Sequence, residues 1–287
     1  MTEKILYVNG EFVEEDKATI SPFNRGFLYG DGLFETVRSY KGRLFALEDH
    51  FLRMEESAAF LRIPLPFDFK QLQELLQLLL KKNKLETDDG RVRINLARGG
   101  AKKGLFAEEG IPSELVITVE AVSPGIERIQ REGVKLAIIH DIRIDSRSPL
   151  SSHKTFNYIP GVLGLMQVEA AGGDEGVFLS YEGNVIEGVT SNIFMVKEGR
   201  LFTPPLSSGL LPGITRKKVI EVAQAEGFEV SESDIGEEEL FAAHEIFITS
   251  SVREVVPVVA LDGKTFQIGA VTRAVQDAYK NHLREVL

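Results

Sequence analysis

The sequence SSHKTFNY, at residues 151–158, is the stretch that says most about how this chain folds and what it does. It places Lys154 in the middle of the chain, among small, polar and aromatic neighbours. A lysine amine becomes a useful nucleophile only where its surroundings hold back its proton, and its usual covalent partner is then a carbonyl group. Taken alone the stretch is a weak signal, because most lysines are solvated surface charges.

A second short sequence, EGVTSN at residues 187–192, follows on the next part of the chain. Its Glu187 offers a carboxylate, the group that an aldehyde cofactor with a ring nitrogen needs beside that nitrogen to act as an electron sink. The two motifs together point to cofactor chemistry more strongly than either does alone.

The composition is that of an ordinary globular protein and excludes several classes of function. The 287 residues can bury one large core or two smaller ones. A net charge of −10 argues against a general affinity for nucleic acid. The absence of cysteine excludes disulfides and thiolate chemistry, and the five histidines lack metal-ligand spacing, so no metal site is predicted. A charged N-terminus and short apolar runs predict a cytoplasmic protein without a membrane span.

The order of predicted elements indicates two α+β domains, residues 1–122 and 131–287, joined by a linker at 123–130 that contains Ser-Pro-Gly. The first domain is predicted to contain a hairpin over 5–13, strands over 33–40, 91–97 and 115–122, and helices over 47–61 and 69–85. The second is predicted to contain strands over 134–139, 175–179, 193–197, 201–203 and 245–249, and helices over 159–171, 213–226 and from 269 onward. Ligand pockets often lie where two such domains meet.

Two further segments could bind an anion, although each also has an ordinary structural explanation. Leu211–Arg216 opens a helix with Pro-Gly and a threonine, which offers free N–H groups to a phosphate but is also a normal helix start. Thr249, Ser250 and Ser251 end a strand in three hydroxyls, which can cradle an anion or simply cap a turn. Arginines on or beside strands, such as Arg38 and Arg98, suit a substrate carboxylate, but most arginines form surface ion pairs.

Taken in order, the motifs resemble the class IV (fold type IV) pyridoxal-phosphate enzymes: branched-chain aminotransferases, D-amino-acid aminotransferases and aminodeoxychorismate lyases. Six matching segments occur in the family's order and cover nearly the whole length, at 29–38, 50–54, 154–158, 187–194, 211–216 and 248–258. The resemblance implies an α+β fold with a smaller N-terminal α/β sandwich and a larger, β-barrel-like C-terminal domain with helices, the latter carrying the cofactor lysine.

The resemblance also implies roles for single residues. Lys154 would hold pyridoxal 5'-phosphate through a Schiff base and then move a proton at the substrate's α-carbon, while Glu187 would keep the pyridine nitrogen protonated. The other residues implied in cofactor binding are Arg53, Tyr158, Ser191, Asn192, Gly213, Ile214, Thr215, Thr249 and Ser250. Of these, Arg53, Ile214, Thr215 and Ser250 would bind the phosphate. Those implied in substrate binding are Tyr29, Phe34, Thr36, Arg38, Arg98 and Ser251. Some of these would come from a second subunit, because the family's basic unit is a dimer.

The family contains two reaction classes, and this sequence has features of both. Thr36 stands where branched-chain enzymes usually have glycine and where the lyases have threonine, whereas Arg38 matches an arginine found in both. The Arg-x-His trap of the D-amino-acid type does not follow Arg98. We predict a transaminase that moves an amino group between a branched-chain or D-amino acid and a 2-oxo acid such as 2-oxoglutarate. The alternative is an aminodeoxychorismate lyase that releases pyruvate and 4-aminobenzoate, and a remote one is a non-catalytic binder of phosphorylated ligands.

Overall fold

The computed structural model describes residues 4–100, 104–107 and 110–287. The chain divides into two compact units, Met1–Val122 with His153–Asn157, and Ser123–Ser152 with Tyr158–Leu287. Each unit has its own sheet and its own hydrophobic core. No helix within the described ranges is long and apolar enough to cross a membrane.

The N-terminal unit is an antiparallel sheet with helices packed on one face. Its strands are β1 (Ile5–Val8), β2 (Glu11–Glu14), β3 (Gly32–Tyr40), β4 (Arg43–Leu44), β5 (Gly90–Ala97) and β6 (Glu114–Ala121). Its helices are α1 (Arg25–Tyr29), α2 (Leu47–Leu61) and α3 (Phe69–Lys82). Within the described part of this unit the strand order is β2-β1-β6-β5-β3-β4. The hairpin of β1 and β2 turns at Asn9-Gly10, as the sequence predicts.

Apolar spacing in α2 and an N-terminal cap in α3 explain how these two helices form. In α2 the buried Leu47, Phe51, Met54 and Ala58 recur every three or four residues and pack into the core of this unit. In α3 the N-terminus is closed by a capping box between Asp68 and its third helical residue. Alternate residues of β5 and β6, together with Leu33 and Val37 of β3, enter the same core. The side chains between them therefore lie on the opposite face of the sheet.

The C-terminal unit is built on a larger mixed sheet that curls into a half-barrel. Its strands are β7 (Val134–Ile144), β8 (Glu175–Ser180), β9 (Val185–Gly188), β10 (Asn192–Lys197), β11 (Arg200–Thr203), β12 (Val230–Glu232), β13 (Glu245–Ser250), β14 (Glu254–Leu261) and β15 (Lys264–Thr265). Its helices are α4 (Gly125–Glu132), α5 (Ile159–Ala170), α6 (Ile214–Ala225), α7 (Glu237–Phe241) and α8 (Ala270–Val286). Among the described residues the order is β12-β11-β10-β13-β14-β7-β8-β9, with β15 on β14.

The structure corrects the predicted domain boundaries at two points. The segment predicted as a linker, 123–130, belongs to the C-terminal unit, because α4 occupies most of it and its Gln130 Nε2 donates to Arg253 O over 3.0 Å. The segment His153–Asn157, predicted within the C-terminal domain, belongs to the N-terminal unit. The cause is backbone hydrogen bonding to β3, which a sequence pattern does not reveal.

Candidate active site

Lys154 is held at the edge of β3 through its main chain. Phe34 N donates to Lys154 O over 2.9 Å, and Phe156 N donates to Gly32 O over 3.0 Å. Thr155 forms an isolated bridge with Leu33 of the same strand. The Lys154 Nζ atom lies 4.6 Å from the centroid of the Phe34 ring, within the range of a cation–π contact. The residues around Lys154 therefore act as a short extra strand of the N-terminal sheet.

The turn Gly30-Asp31-Gly32 is shaped to receive the residues that follow Lys154. Gly30 has a φ of 67°, a left-handed conformation that favours glycine. A Cβ added at Gly30 would come within 2.7 Å of Asn157 Oδ1, and a Cβ at Gly32 would overlap the ring of Phe156. The Gly-Asp-Gly motif and the lysine motif, which are far apart in sequence, thus form one packing unit.

His153, the residue before Lys154, is fastened to α2. Its Nδ1 atom lies 3.0 Å from Ser57 Oγ, and its ring stacks on Phe60 with centroids 4.2 Å apart. Burial lowers the pKa of His153, against a smaller opposite effect of Glu56. The neutral imidazole is thereby favoured, so the clamp fixes the chain beside Lys154 without a second positive charge.

Arg53, a predicted phosphate ligand, is oriented by a buried carboxylate. Its Nε and Nη2 donate to the two oxygens of Glu35, each over 2.7 Å, and His50 Nδ1 donates to Glu35 Oε2 over 2.7 Å. Burial alone would raise the pKa of Glu35, but Arg53 and His50 outweigh it and hold that pKa well below its usual range. Glu35 is ionised, and the guanidinium direction is set by a bidentate pair.

The predicted substrate residues Phe34, Thr36 and Arg38 share one face of β3, opposite the helix-covered face. Arg38 Nη2 donates to Asp89 Oδ2 over 2.8 Å, and the Arg38 guanidinium carbon lies 4.4 Å from the Tyr40 ring centroid. Thr36 and Arg38 lie on the expected face. The ion pair with Asp89 nevertheless means that Arg38 is not a simple partner of Thr36 in gripping a carboxylate.

Arg93 is a candidate that the sequence motifs do not single out. It stands directly opposite Thr36 in the pairing of β3 with β5, and its Cζ lies 3.8 Å from the Phe34 ring centroid. Its Nε donates to Asn95 Oδ1 over 2.9 Å. Alternation along β5 shows which arginines share a face of the sheet. Only the register between β3 and β5 shows that Arg93 lies beside Thr36 and the Phe34 ring.

Tyr29 and Arg98 line a cavity of about 340 Å³ in the N-terminal unit. Arg98 donates to Asp31 Oδ2 over 2.8 Å and to Leu61 O and Arg62 O over 2.6 and 2.7 Å. These bonds hold the guanidinium at the C-terminal end of α2, where carbonyls lack helical partners. The role of Arg98 in substrate binding stays a prediction, and residues 101–103 and 108–109 of its loop lie outside the described residues.

In the C-terminal unit Glu187 accepts hydrogen bonds from a side-chain amide and a backbone N–H. Asn192 Nδ2 donates to Glu187 Oε2 over 3.1 Å and to Leu211 O over 3.0 Å, while Leu211 N donates to Glu187 Oε2 over 3.2 Å. These bonds tie the carboxylate at the end of β9 to the segment that precedes α6. Asn192 is 5% exposed, so it acts on Glu187 from a buried position.

The start of α6 packs against the same asparagine. A Cβ at Gly213 would overlap Asn192 Oδ1, which explains the glycine at this position. Ile214 and Thr215, the first helical residues, are buried. Their backbone N–H groups belong to the helix end that lacks intrahelical acceptors and carries the positive end of the helix dipole.

Two hydroxyls beside these elements are buried without a partner. Ser191 Oγ and Thr249 Oγ1 make no hydrogen bond to any described residue. Thr249 faces Asn192 across β13 and β10, so both hydroxyls belong to the neighbourhood of Glu187. Buried unsatisfied hydroxyls are uncommon in folded proteins and call for a ligand or another functional explanation. Ser250 and Ser251 follow, half-buried, where β13 ends.

Tyr158 is the residue before α5, and its carbonyl accepts from Val162 N over 2.9 Å. The side chain is half-buried. Its contact with a cofactor stays a prediction.

Comparison with known proteins assigns the family. The family model described as amino-transferase class IV matches residues 32–261. The chain is 36% identical to a putative branched-chain-amino-acid aminotransferase of Methanocaldococcus jannaschii, an alignment that covers 96% of this chain and 95% of that protein. It is 33% identical to an aminodeoxychorismate lyase of Bacillus subtilis, with 99% and 96% covered. Proteins named D-alanine aminotransferase are also among its relatives.

The fold agrees with the family. The structure is similar to the branched-chain aminotransferase of Thermoproteus uzoniensis with norvaline, with a TM-score of 0.90, 28% identity and coverage of 97% of this chain and 94% of that one. The chain belongs to the class IV aminotransferase family. It is an enzyme of that family and has the fold type IV architecture, as the resemblance implied.

Proposed function

We propose that the protein is a pyridoxal-phosphate-dependent transaminase that transfers an amino group between an amino acid and a 2-oxo acid such as 2-oxoglutarate. The amino acid would be of the branched-chain or D-amino-acid type. The observation that carries this proposal is the fixed position of Lys154, whose amine contacts Phe34 on the sheet face that also bears Thr36 of β3 and Arg93 of β5. The named activities of the relatives support it.

The residues present fit pyridoxal phosphate. Ser191 and Thr249 offer buried hydroxyls that have no partner among the described residues, and the start of α6 offers backbone N–H groups to a phosphate. Glu187 offers a carboxylate for the ring nitrogen, which favours its protonated form. When bound, the cofactor supplies a conjugated ring that draws electron density from the substrate's α-carbon. The proposed set also includes Arg53, Tyr158, Asn192, Gly213, Ile214, Thr215 and Ser250.

Lys154 has two proposed tasks. Its amine would hold the cofactor through the aldehyde group, and the same amine would take the proton from the substrate's α-carbon. Both tasks need the side chain to start from a fixed backbone. The bonds to β3 and the clamp of His153 against α2 supply that.

The substrate is proposed to bind on the polar face of β3. Phe34 offers an apolar surface, and Thr36 and Arg93 stand opposite each other as a hydroxyl and a guanidinium for a carboxylate. The predicted set is completed by Tyr29, Arg38, Arg98 and Ser251, whose contacts with substrate remain part of the proposal.

The test is to add single amino acids to the purified protein with pyridoxal phosphate and to follow the cofactor's absorbance. A transaminase converts the cofactor to its amine form and recovers the aldehyde form when a 2-oxo acid is added. A protein that leaves the spectrum unchanged with every branched-chain and D-amino acid is not a transaminase of this type.

Aminodeoxychorismate lyase activity is the second candidate, and one specific observation favours it. Thr36 lies on the face beside Phe34 and Arg93, where a hydroxyl could assist departure of pyruvate. The Bacillus subtilis relative carries that name. A lyase would consume aminodeoxychorismate without any 2-oxo acid, so pyruvate release in the absence of an acceptor decides between the two.

We further propose that the enzyme is a homodimer whose protomers share their active sites. The exposed face of α5 supports this, because Ile159, Val162, Leu163 and Met166 are 48–68% exposed and recur at helical spacing. Tyr29, at 38% exposure, would contribute to the partner's substrate pocket. Light scattering on the purified protein should give twice the mass of the 31.8 kDa chain.

A further inference from the structure

Arg253 lies in the turn between β13 and β14 and reaches the turn that follows Glu187. Its Nη2 donates to Glu175 Oε2 over 2.6 Å and to Thr190 Oγ1 over 2.7 Å. Its Nε donates to Ser250 Oγ over 3.3 Å. One guanidinium therefore bonds to three residues on three different segments of the C-terminal unit.

Glu175 closes this network. Its Oε1 accepts from Thr190 N over 2.8 Å, and its Oε2 accepts from Thr190 Oγ1 over 2.9 Å as well as from Arg253. The Glu175 side chain is 2% exposed and that of Arg253 is 18% exposed. A buried carboxylate is stable only when it is paired and hydrogen-bonded, and Arg253 is its cationic partner here.

The turn that carries Arg253 is also fixed through its backbone. Gln130 Nε2 from α4 donates to Arg253 O over 3.0 Å. The next residue, Glu254, has a φ of 60°, a left-handed conformation that is uncommon for a residue with a side chain. Such strain persists only where the surrounding contacts hold it, and it occurs often at functional sites.

The two turns that Arg253 joins carry the hydroxyls of the proposed phosphate site. Thr190 is followed by Ser191 and Asn192, and Arg253 is preceded by Thr249, Ser250 and Ser251. Ser191 Oγ and Thr249 Oγ1 are buried and have no partner among the described residues. The bonds among Arg253, Glu175 and Thr190 link the two turns that carry these hydroxyls.

We propose that Arg253 is a positioning residue that, with Glu175 and Thr190, holds these two turns in the geometry that binds a phosphate monoester. The inference rests on the proposed use of pyridoxal phosphate and assigns the arginine no contact with the phosphate. Its charge is balanced by Glu175, so its contribution comes through the order of the turns.

The test uses the full-length protein freed of cofactor and two probes that differ only in the phosphate: pyridoxal phosphate and pyridoxal. Arg253→Met keeps the length of the side chain and removes its donors. Its affinity for pyridoxal phosphate should fall about tenfold, the effect of one net hydrogen bond lost, with the affinity for pyridoxal unchanged. Arg253→Lys should recover only part of the loss, because an ammonium cannot reproduce the planar fork. Arg200→Met removes an exposed ion-paired arginine of the same unit and should change neither affinity.

Thr190→Val provides a milder variant in case Arg253→Met does not fold. It should lower the affinity for pyridoxal phosphate selectively, and combining it with Arg253→Met should cost little more than either change alone, because both act through one network. Equal losses for the two probes, or fully additive effects, would overturn the role of Arg253.

Ser191→Ala with Thr249→Val tests the phosphate site itself. If that pair weakens pyridoxal phosphate selectively while Arg253→Met does not, the proposed function stands and this inference fails. If the pair also leaves the ratio of the two affinities unchanged, the phosphate site fails with it.

Discussion

The two units hold their site carboxylates in different ways. In the N-terminal unit Glu35 is bound by a bidentate guanidinium and an imidazole, with Arg53 and His50 both buried. In the C-terminal unit Glu187 accepts from the amide of Asn192 and the backbone N–H of Leu211. The Glu35 side chain is 1% exposed and is part of the core, whereas Glu187 is half-buried and is tied to an amide and a backbone N–H. We therefore expect changes at Glu35 to act on stability and changes at Glu187 to act on the reaction.

The largest contrast is expected from Glu187→Gln. The amide keeps the shape and can still accept from Asn192 and Leu211, so the free energy of unfolding should change little. The charge that favours a protonated ring nitrogen is lost, and the rate of α-proton transfer in a single turnover should fall by orders of magnitude. Unchanged single-turnover rates would show that the ring nitrogen has another partner.

In contrast to Glu187→Gln, Glu35→Gln should lower the free energy of unfolding substantially. It leaves the guanidinium of Arg53 buried without its counter-charge, and breaking such a pair costs about 3–5 kcal/mol of stability. The lowered pKa of Glu35 means that its stabilisation is present above the unfolded-state pKa of about 4.3 and is lost as pH falls through the folded value. Urea unfolding should therefore show the full difference in stability between wild type and variant at pH 7, and this difference should narrow as the pH is lowered below about 4. An equal difference at both pH values would contradict the role of the pair.

Two of the proposed phosphate ligands can be compared directly, Arg53 of the N-terminal unit and Thr215 of the C-terminal unit. Arg53 supplies a full charge and Thr215 supplies a hydroxyl and a backbone donor. Arg53→Ala should weaken binding of pyridoxal phosphate by about 2–3 kcal/mol and Thr215→Ala by less. Equilibrium titration of both variants ranks them, and a larger loss for Thr215→Ala would mean that the phosphate depends mainly on the start of α6.

The smallest effect is expected from Thr36→Gly, on the substrate face of β3. In a transaminase this change should mainly alter KM for the amino acid, because the threonine takes no part in proton transfer. In a lyase it should lower kcat, because the hydroxyl assists departure of pyruvate. Steady-state kinetics with amino acids and with aminodeoxychorismate distinguish the two outcomes.

Local patterns were enough to predict much of this fold. The helix over 47–61 was predicted with the bounds that the structure has, and the strands over 33–40 and 91–97 within a residue. These elements follow from apolar periodicity and turn residues, which are local properties. Helices α1, α4 and α7 and strands β9, β12, β14 and β15 were not predicted, because most of them are too short, or too continuously apolar, to show a clear period.

The residues of the candidate site are brought together by hydrogen bonds and strand register between distant parts of the chain, which a local sequence pattern does not reveal. The sequence gives no sign that Lys154 belongs with the N-terminal unit, since only hydrogen bonds to Phe34 and Gly32 place it there. For the same reason Arg253 was missed, and Arg93 was only one of several strand arginines that the sequence could not tell apart. Each becomes a candidate through a cross-strand register or a contact between distant turns.

The most direct test of the proposed cofactor chemistry concerns Lys154. The purified protein, loaded with pyridoxal phosphate, is reduced with borohydride, digested, and analysed by peptide mass spectrometry. We predict that the reduced cofactor is attached to Lys154 alone, and that Lys154→Ala takes up the cofactor without covalent attachment and loses nearly all turnover. Attachment at another lysine, or near wild-type turnover in Lys154→Ala, would contradict it.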